Sequence, residues 1–264
     1  MPRSAVRRFL QVLVNRGPWG LCVLVAKKGA VRLHLIQAPP EFAAPKGTSG
    51  RPVHPFDEEH GTDTSGLIWG EAMSSGHRND LWSTAYYGIS PSLLTDVIAT
   101  LQLDWGRFTF IDLGSGKGRA LLVASRFPFK RIIGVEFIPQ LHEAAVANIA
   151  KFSAPWRSCS NIESIHSDAT EFAYPSGPLV LYLYNPFLAP VLKKCLKHLA
   201  RLLGEEPREA YLIYANPSFE RLVEKYLPGM RRQWDRTFTF TPEEAAADRF
   251  GSQQERVILW KYQP

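Results

Sequence analysis

The sequence lacks the pattern of a disulfide framework or of a structural zinc site. It has 264 residues and three cysteines, Cys22, Cys159 and Cys195, which form no C-x-x-C pair and are odd in number. This usage disfavours disulfide-stapled scaffolds and zinc knuckles. It favours a reducing compartment, and we expect a cytoplasmic protein that binds no metal ion.

Long apolar runs near the N-terminus are also missing. The stretches "FLQVLV" and "WGLCVLVA" are separated by "NRGP". Each is far shorter than the ~20 residues that a membrane-spanning helix needs. We therefore expect no transmembrane helix.

Acidic residues are absent from positions 1–40, which hold seven basic residues. The formal net charge is +6, so the rest of the chain sums to −1 and the basicity is local. Residues 4–14 have the apolar spacing of a short basic amphipathic helix. Three interpretations stay open: the helix docks on the protein's own core, it makes a weak contact with an anionic membrane or an acidic partner, or it is a targeting segment.

The order of apolar and turn-forming segments indicates the domain organisation. Five prolines between positions 37 and 56 predict a linker, so residues 1–56 are interpreted as an arm and residues 57–264 as the main domain. Strand-like and helix-like runs then alternate, which predicts an α/β doubly wound, mostly parallel sheet. The last two strand-like runs, "WDRTFTF" and "ERVILWKY", predict an antiparallel C-terminal hairpin at the edge of this sheet.

The stretch "DLGSGKGR", residues 112–119, lies between a strand-like and a helical run. A nucleotide phosphate loop requires G-x-x-x-x-G-K-[ST], but Ile111 stands where its first glycine belongs and Gly118 follows the lysine. A dinucleotide fingerprint would need a third glycine at position 119, which is Arg119. Both a nucleoside triphosphatase and a nicotinamide oxidoreductase are therefore disfavoured, and D-x-G-x-G-x-G remains.

This motif, followed after a helical run by "IIGVE", resembles the class I, seven-strand S-adenosylmethionine-dependent methyltransferases over about residues 85–264. The resemblance implies a Rossmann-like fold of seven strands and S-adenosyl-L-methionine as the cofactor. It implies that Gly114, Ser115 and Gly116 form the turn beside the methionine part of the cofactor. Asp112 would anchor this turn, and Gly118 would allow close packing of helix on strand.

Further cofactor contacts are expected at the ends of the next two strands. Glu136 follows Gly118 by 18 residues, where doubly wound folds place an acid that accepts hydrogen bonds from ribose hydroxyls. By the resemblance, Asp168 would accept from the adenine amino group and Ala169 would offer a backbone donor. Tyr87 belongs to a segment expected to cover the cofactor.

The segment "YNPF", Tyr184 to Phe187, follows the fourth strand-like run. Amine-methylating members of the family often carry [DN]-P-P-[YF] there, so Tyr184, Asn185, Pro186 and Phe187 are the candidate catalytic residues. We expect methyl transfer to an amine or amide nitrogen, with protein side chains among the candidate acceptors. A small-molecule or O-methyltransferase, a silent cofactor-binding scaffold, and a plain Asn-Pro turn stay open.

Two other segments carry weaker expectations. The stretch "TAYYGISPSLL" is most similar to the non-SET protein lysine methyltransferase branch, and it predicts a helix that begins at Pro91 with Ser90 as its cap. Residues 56–66 either fold over the site or form a solvated loop. A basic cluster follows "YNPF" and consists of Lys193, Lys194, Lys197 and His198. It either binds an acidic partner or is a solvated helix face. No nucleic-acid-binding signature accompanies it.

Overall fold

The structure, a computed structural model, describes residues 53–68, 82–248 and 252–264. The predicted amphipathic helix at residues 4–14 and most of the proposed linker lie outside these ranges. The described helices are α1 Pro55–His60, α2 Pro91–Ala99, α3 Arg119–Ala124, α4 Pro139–Lys151, α5 Ala189–Glu205, α6 Glu220–Tyr226 and α7 Pro242–Ala247. The strands are β1 Thr109–Leu113, β2 Arg131–Glu136, β3 Ile162–His166, β4 Leu179–Tyr184, β5 Ala210–Ala215, β6 Arg231–Thr239 and β7 Gln254–Tyr262.

Local sequence signals account for where α1 and α2 begin. The Ser90 hydroxyl accepts a hydrogen bond from the Leu93 N–H, and Pro91 occupies the first position of α2, as predicted. Helix α1 begins at Pro55, so it crosses the proposed boundary between residues 56 and 57. That boundary remains a prediction, because the residues before position 53 are not described.

All seven strands form one sheet in the order β3-β2-β1-β4-β5-β7-β6. Strands β1 to β5 pair in parallel, whereas β7 is antiparallel to both β5 and β6. The predicted doubly wound seven-strand sheet with an antiparallel C-terminal hairpin is confirmed. Because β7 inserts between β5 and β6, the hairpin does more than cap the edge. It contributes an interior strand.

Side chains alternate between the two faces of the sheet, and each face is covered. Phe110 of β1 packs with residues of α2 and α3, whereas Ile111 packs with residues of α5. Both are fully buried, and burying a side chain of this size contributes about 2 kcal/mol. The strand order reverses between β1 and β4, so helices leave these strands toward opposite faces and a crevice opens above them.

In the described part of the chain, every helix is too short or too polar to cross a bilayer.

Candidate functional site

A cleft lies above the carboxyl ends of β1, β2 and β4, at the reversal point of the strand order. Its empty volume, including the part open to solvent, is about 650 Å³. The glycine turn forms its floor, the segment from Ser83 to Ile89 forms one wall, and Tyr184, Pro186 and Phe187 close the end above β4. A crevice of this size at a switch point is the usual ligand position in doubly wound folds.

The glycines of the turn adopt backbone conformations that residues with a Cβ atom rarely adopt. The φ angles are +88° at Gly114, +54° at Gly116 and +87° at Gly118. A Cβ on Gly114 would lie 2.5 Å from the Cβ of Pro186, and one on Gly116 would lie 2.3 Å from the Tyr86 ring. The absent side chains therefore make room for the cleft walls as well as for a ligand.

The nearest neighbour of Gly118 is Ala145 of helix α4, and the expected close packing of helix on strand at Gly118 remains a prediction. A Cβ on Gly118 would lie 3.2 Å from the Ala145 Cβ.

Strand β2 holds the turn in place through its last carboxylate. The Gly116 N–H donates to Oε2 of Glu136 and the Ile138 N–H donates to Oε1, both at 2.8 Å. The Gly114 and Ser115 N–H groups donate to the Val135 carbonyl at 2.8 and 3.2 Å. Glu136 thus shapes the turn while keeping acceptor capacity on both oxygens, because a carboxylate has about four acceptor positions.

Asp112 and Glu136 make the floor of the cleft acidic. Burial raises the pKa of Asp112 well above its ordinary value, and the neighbouring Glu136 charge adds to the rise. Burial also raises the pKa of Glu136, against the lowering effect of its backbone hydrogen bonds. Among the described residues, Glu136 accepts a hydrogen bond from the turn whereas the Asp112 carboxylate accepts none, and the anchoring role of Asp112 remains a prediction. A cationic ligand would stabilise both charged forms.

The polar segment at residues 54–66 packs against the turn, so among the two predicted alternatives it is a cover rather than a solvated loop. Asp57, 3% exposed, accepts hydrogen bonds from Thr62 Oγ1 at 2.5 Å, from the Thr64 N–H and hydroxyl, and from the Ser65 hydroxyl. Its carboxylate lies 3.7 Å from the Arg119 guanidinium, and both side chains are buried.

Two basic residues of the glycine motif, Lys117 and Arg119, form hydrogen bonds with this cover. Arg119 donates from Nε to Thr64 Oγ1 at 2.7 Å. The Lys117 ammonium donates to Asp63 at 2.8 Å and to the Ser65 carbonyl at 3.0 Å. The Tyr86 hydroxyl adds a bond to the Thr64 carbonyl at 2.6 Å.

The "YNPF" turn lies at the β4 end of the cleft, but its asparagine points away. Tyr184, Pro186 and Phe187 line the cleft, whereas Asn185 is not among its lining residues. Asn185 has φ +43°, and its Oδ1 accepts a hydrogen bond from the Tyr214 hydroxyl at 3.2 Å. A non-glycine residue in this region indicates a constrained turn.

Hydrogen bonds and one β-bridge attach segment 82–89 to the "YNPF" turn. The Thr84 N–H donates to the Pro186 carbonyl at 3.3 Å, and the Thr84 hydroxyl donates to the Asn185 carbonyl at 2.9 Å. Ser83 forms an antiparallel bridge with Phe187. The carbonyl of Pro186 therefore already serves the cleft wall, and the predicted role of this turn in holding an acceptor stays a prediction.

Behind Tyr184 lies a group of acids and tyrosines. The Tyr184 hydroxyl donates to Oε1 of Glu255 at 2.5 Å, and the Tyr87 hydroxyl donates to Asp248. Burial raises the pKa of Glu255 to about 7, the Tyr184 hydrogen bond lowers it, and the Asp248 charge raises it further. A carboxylate thus stands at the methyl-acceptor end of the predicted site, although none occurs in "YNPF" itself.

The raised pKa of Glu255 predicts a pH-dependent loss of stability. The unfolded carboxyl ionises near 4.5 and the folded one near 7, so between these values the folded state binds more protons and its stability falls as the pH rises. We expect Glu255 to lower the free energy of unfolding by about 3 kcal/mol across this window, with no further loss above it. Calorimetry from about pH 5 to about pH 8 should show that the stability of the Glu255→Gln variant increases relative to that of the wild type as the pH rises. A constant difference would contradict the assignment.

Asp168 and Ala169 line a smaller cavity next to the cleft. Its empty volume is about 220 Å³, and Ser83, Phe137 and Phe187 border both spaces. Oδ1 of Asp168 accepts a hydrogen bond from the Thr170 N–H at 2.8 Å. The site residues predicted at the ends of β1, β2, β3 and β4 are thus gathered at one edge of the sheet.

The basic cluster on α5 is not among the residues that line the cleft. The ammonium groups of Lys193 and Lys197 lie 5.5 and 5.6 Å from the centre of the Tyr226 ring. The described residues include no group of three His, Cys, Asp or Glu arranged to hold a metal ion. A partner for the lysines remains a prediction.

Sequence reasoning missed Asp57, Arg119 and Glu255. Arg119 drew notice only as the residue that breaks a dinucleotide fingerprint, although a charged residue inside the apolar run "GRALLVA" is itself a signal of buried pairing. Asp57 lies far along the chain from Arg119, and Glu255 lies far from Tyr184. Without the strand order, no local pattern connects them to the site.

Comparisons with known proteins give likeness only at the level of fold. No protein-family model and no curated protein matches the chain. The magnesium protoporphyrin IX methyltransferase of Synechocystis, solved with bound S-adenosylmethionine, is 15% identical with a TM-score of 0.46 over 66% of this chain and 79% of that one.

Two other solved structures are similar to a comparable degree. The ribosomal protein L11 methylase of Lactobacillus delbrueckii subsp. bulgaricus is 13% identical with a TM-score of 0.44, over 66% of this chain and 79% of that one. An RNA methyltransferase of Salinibacter ruber, in complex with S-adenosylhomocysteine, is 18% identical with a TM-score of 0.42, over 67% and 94%. The seven-strand doubly wound sheet of the chain is the fold that the sequence resemblance implies.

Proposed function

We propose that the chain is an S-adenosylmethionine-dependent methyltransferase that acts on an amine or amide nitrogen. One observation carries the proposal: the glycine turn after β1 is bonded to the carboxylate that ends β2, in a cleft at the reversal of the strand order. A phosphate loop or dinucleotide fingerprint would need glycines and a hydroxyl that the turn lacks.

The residues around the turn suit this cofactor. Glu136 uses one acceptor position per oxygen on Gly116 and Ile138, so each oxygen can accept a further bond from one of two adjacent ribose hydroxyls. Gly114 and Gly116 leave the turn backbone open to the methionine part, and Asp168 with Ala169 would meet the adenine. The acids Asp112 and Glu136 favour a ligand that carries a positive charge.

S-adenosylmethionine supplies a methyl group on a positively charged sulfur, which a nucleophile displaces in line. The chain's contribution is therefore orientation and the exclusion of water. Tyr184, Pro186 and the buried Phe187 wall off the β4 end, and Tyr86 and Tyr87 cover the turn. No triad or metal cluster is required.

The nitrogen acceptor is supported by the hydrogen-bonding capacity of the "YNPF" turn. The Pro186 carbonyl, at a residue that lines the cleft, accepts one bond from the Thr84 N–H and can accept a second, whereas Asn185 does not line the cleft and its Oδ1 bonds Tyr214. That carbonyl can accept one hydrogen of an amino group while the lone pair of the nitrogen faces the methyl carbon. Mass spectrometry of proteins and small molecules labelled from tritiated cofactor in a cell extract would identify the acceptor, and an ether or ester product would contradict this assignment.

The cofactor assignment predicts a selective loss of affinity in the Glu136→Gln variant. An amide has no charge and only one acceptor oxygen, so it weakens a bond to the ribose and also places its NH2 group against the Gly116 or Ile138 N–H, and affinity for S-adenosylhomocysteine should fall about 10- to 100-fold. Isothermal titration calorimetry measures the effect. Glu163→Ala is the matched control, since Glu163 is also a strand carboxylate but pairs with Arg131 at the surface.

The outcomes separate the proposal from its rivals. Equal affinity in the Glu136→Gln variant and the wild type would contradict the assignment of Glu136 to the ribose. Absence of binding in the wild type would contradict the assignment of the cofactor. Tight binding without methyl incorporation in the extract would favour a silent scaffold.

A further inference from the structure

Four polar side chains lie together behind the β4 end of the cleft and have no role in holding the proposed cofactor's ribose or adenine. Asp112 and Tyr182 are direct register partners on β1 and β4, so they share a face of the sheet. Tyr184 lies two residues beyond Tyr182 on that face. Glu255 reaches the same place from β7, where its carboxylate accepts the Tyr184 hydroxyl.

The alignment of β7 explains why Glu255 is on this face. Tyr184 is opposite Ala215 of β5, and Ala215 is opposite Val257 of β7. Glu255 precedes Val257 by two residues, so its side chain leaves the sheet in the same direction. The antiparallel direction of β7 brings the start of that strand to the carboxyl edge of the parallel strands, where the cleft opens.

Two buried polar atoms in this group have no hydrogen-bond partner among the described residues: the Tyr182 hydroxyl and Oε2 of Glu255. Tyr182 is only 1% exposed, and a buried polar atom left unpaired destabilises the folded state. Burial and the charges of Asp112 and Glu255 raise the pKa of Tyr182, which places its hydroxyl close to both acids. Such unpaired atoms are completed from outside the described residues, by an ordered water or by a ligand that reaches the group.

The charge around this group is negative. Asp248, which holds the Tyr87 hydroxyl, faces Glu255 from the segment after α7. None of Asp112, Asp248 and Glu255 forms an ion pair with a described Lys, Arg or His. Arg119 is the one cation among the described cleft-lining residues, and Asp57 already lies against it.

We propose that the Tyr184–Glu255 pair is the proton-accepting subsite for an acceptor amine that arrives as an ammonium ion. This inference rests on the proposed function and extends it. It assigns the acceptor class as cationic amines and gives the site a base that "YNPF" lacks.

The proton balance of the step is simple. The ammonium N–H bond breaks and the proton passes to the Tyr184 oxygen, while the Tyr184 proton passes to Glu255, so one N–H bond is exchanged for one carboxyl O–H bond. The neutral amine nitrogen then forms its bond to the methyl carbon as the carbon–sulfur bond breaks, and the positive charge moves from sulfur to nitrogen. The pKa of about 7 for Glu255 suits a base that works near neutral pH.

Sinefungin provides a test that needs no knowledge of the acceptor. It matches S-adenosylhomocysteine but carries an amino group where the methyl group of the cofactor would project. Glu255→Gln should lower the affinity for sinefungin about tenfold relative to that for S-adenosylhomocysteine. The preference of the wild type for sinefungin should rise as the pH passes through about 7, and the variant should lose this rise. Tyr184→Phe should give the same direction of change, and Glu243→Gln, at an exposed acid of α7, should change nothing.

The ratio of the two affinities isolates the subsite from general damage, because a purely structural role would weaken both ligands together. An unchanged ratio in Glu255→Gln, or loss of both ligands in parallel, would overturn the subsite while leaving cofactor binding intact in the wild type. A wild-type protein that binds neither ligand would overturn the proposed function, and this inference with it.

Discussion

Replacing Gly114 with alanine should reduce affinity for S-adenosylhomocysteine by about 100-fold or more. The new Cβ would lie 2.5 Å from the Cβ of Pro186, and the backbone φ of +88° is one that alanine disfavours. The turn or the "YNPF" loop must move, and each of them forms a wall of the cleft. Calorimetric titration with S-adenosylhomocysteine measures the loss.

Gly177 offers a matched control for the strain alone. Its φ is +91°, nearly that of Gly114, but nothing lies within 4 Å of the position that a Cβ would take. Gly177→Ala should therefore destabilise the fold by about 1–2 kcal/mol without changing ligand affinity. Equal affinities for Gly114→Ala and the wild type would mean that the cofactor does not use this turn.

The second large effect is expected at Asp57, where substitution by alanine should lower the free energy of unfolding by about 3 kcal/mol. The change leaves Arg119 buried without its acid and removes the acceptor shared by the Thr62, Thr64 and Ser65 hydroxyls. Chemical denaturation followed by fluorescence measures the loss. S-adenosylhomocysteine should also bind more weakly, because the cover over the glycine turn loosens.

Asp63→Asn is the comparison for this effect, since the Asp63 side chain is 71% exposed and, within the described residues, its ion pair is with Lys117. Asp63→Asn should lower the free energy of unfolding by less than about 1 kcal/mol.

Hydrogen bonds from Ser65, Thr62 and Thr64 hold the pKa of Asp57 below 3.8 despite its burial. Its contribution is therefore present above that value and lost as the pH falls through the lower, folded pKa. If Asp57→Ala were as mild as Asp63→Asn, the cover would not depend on the buried pair.

The fold was predictable because its signals are local and agree with one another. Ser90 and Pro91 start a helix, the glycine motif ends a strand, and alternating apolar runs indicate a parallel sheet. What no local signal supplies is the strand order, and the position of β7 between β5 and β6 depends on it.

The glycine-turn side of the candidate site was also accessible from sequence, since the positions of Asp112 through Gly118 and of Glu136 are set by turn and strand-end chemistry. The acceptor side was not. The path of the "YNPF" loop turns Asn185 toward Tyr214, and the acid that meets Tyr184 comes from a strand 71 residues later. Contacts of such separation depend on packing that a single sequence does not reveal.

The interior place of β7 has a consequence for the order in which the protein is made. A ribosome releases β5 well before β7, so for that interval the wholly buried strand Ala210–Ala215 has an open edge. An unpaired apolar edge of this kind can pair with another chain until β7 covers it. The same interval delays Glu255, so the nascent chain can complete the floor of its cleft long before it acquires the acid behind Tyr184.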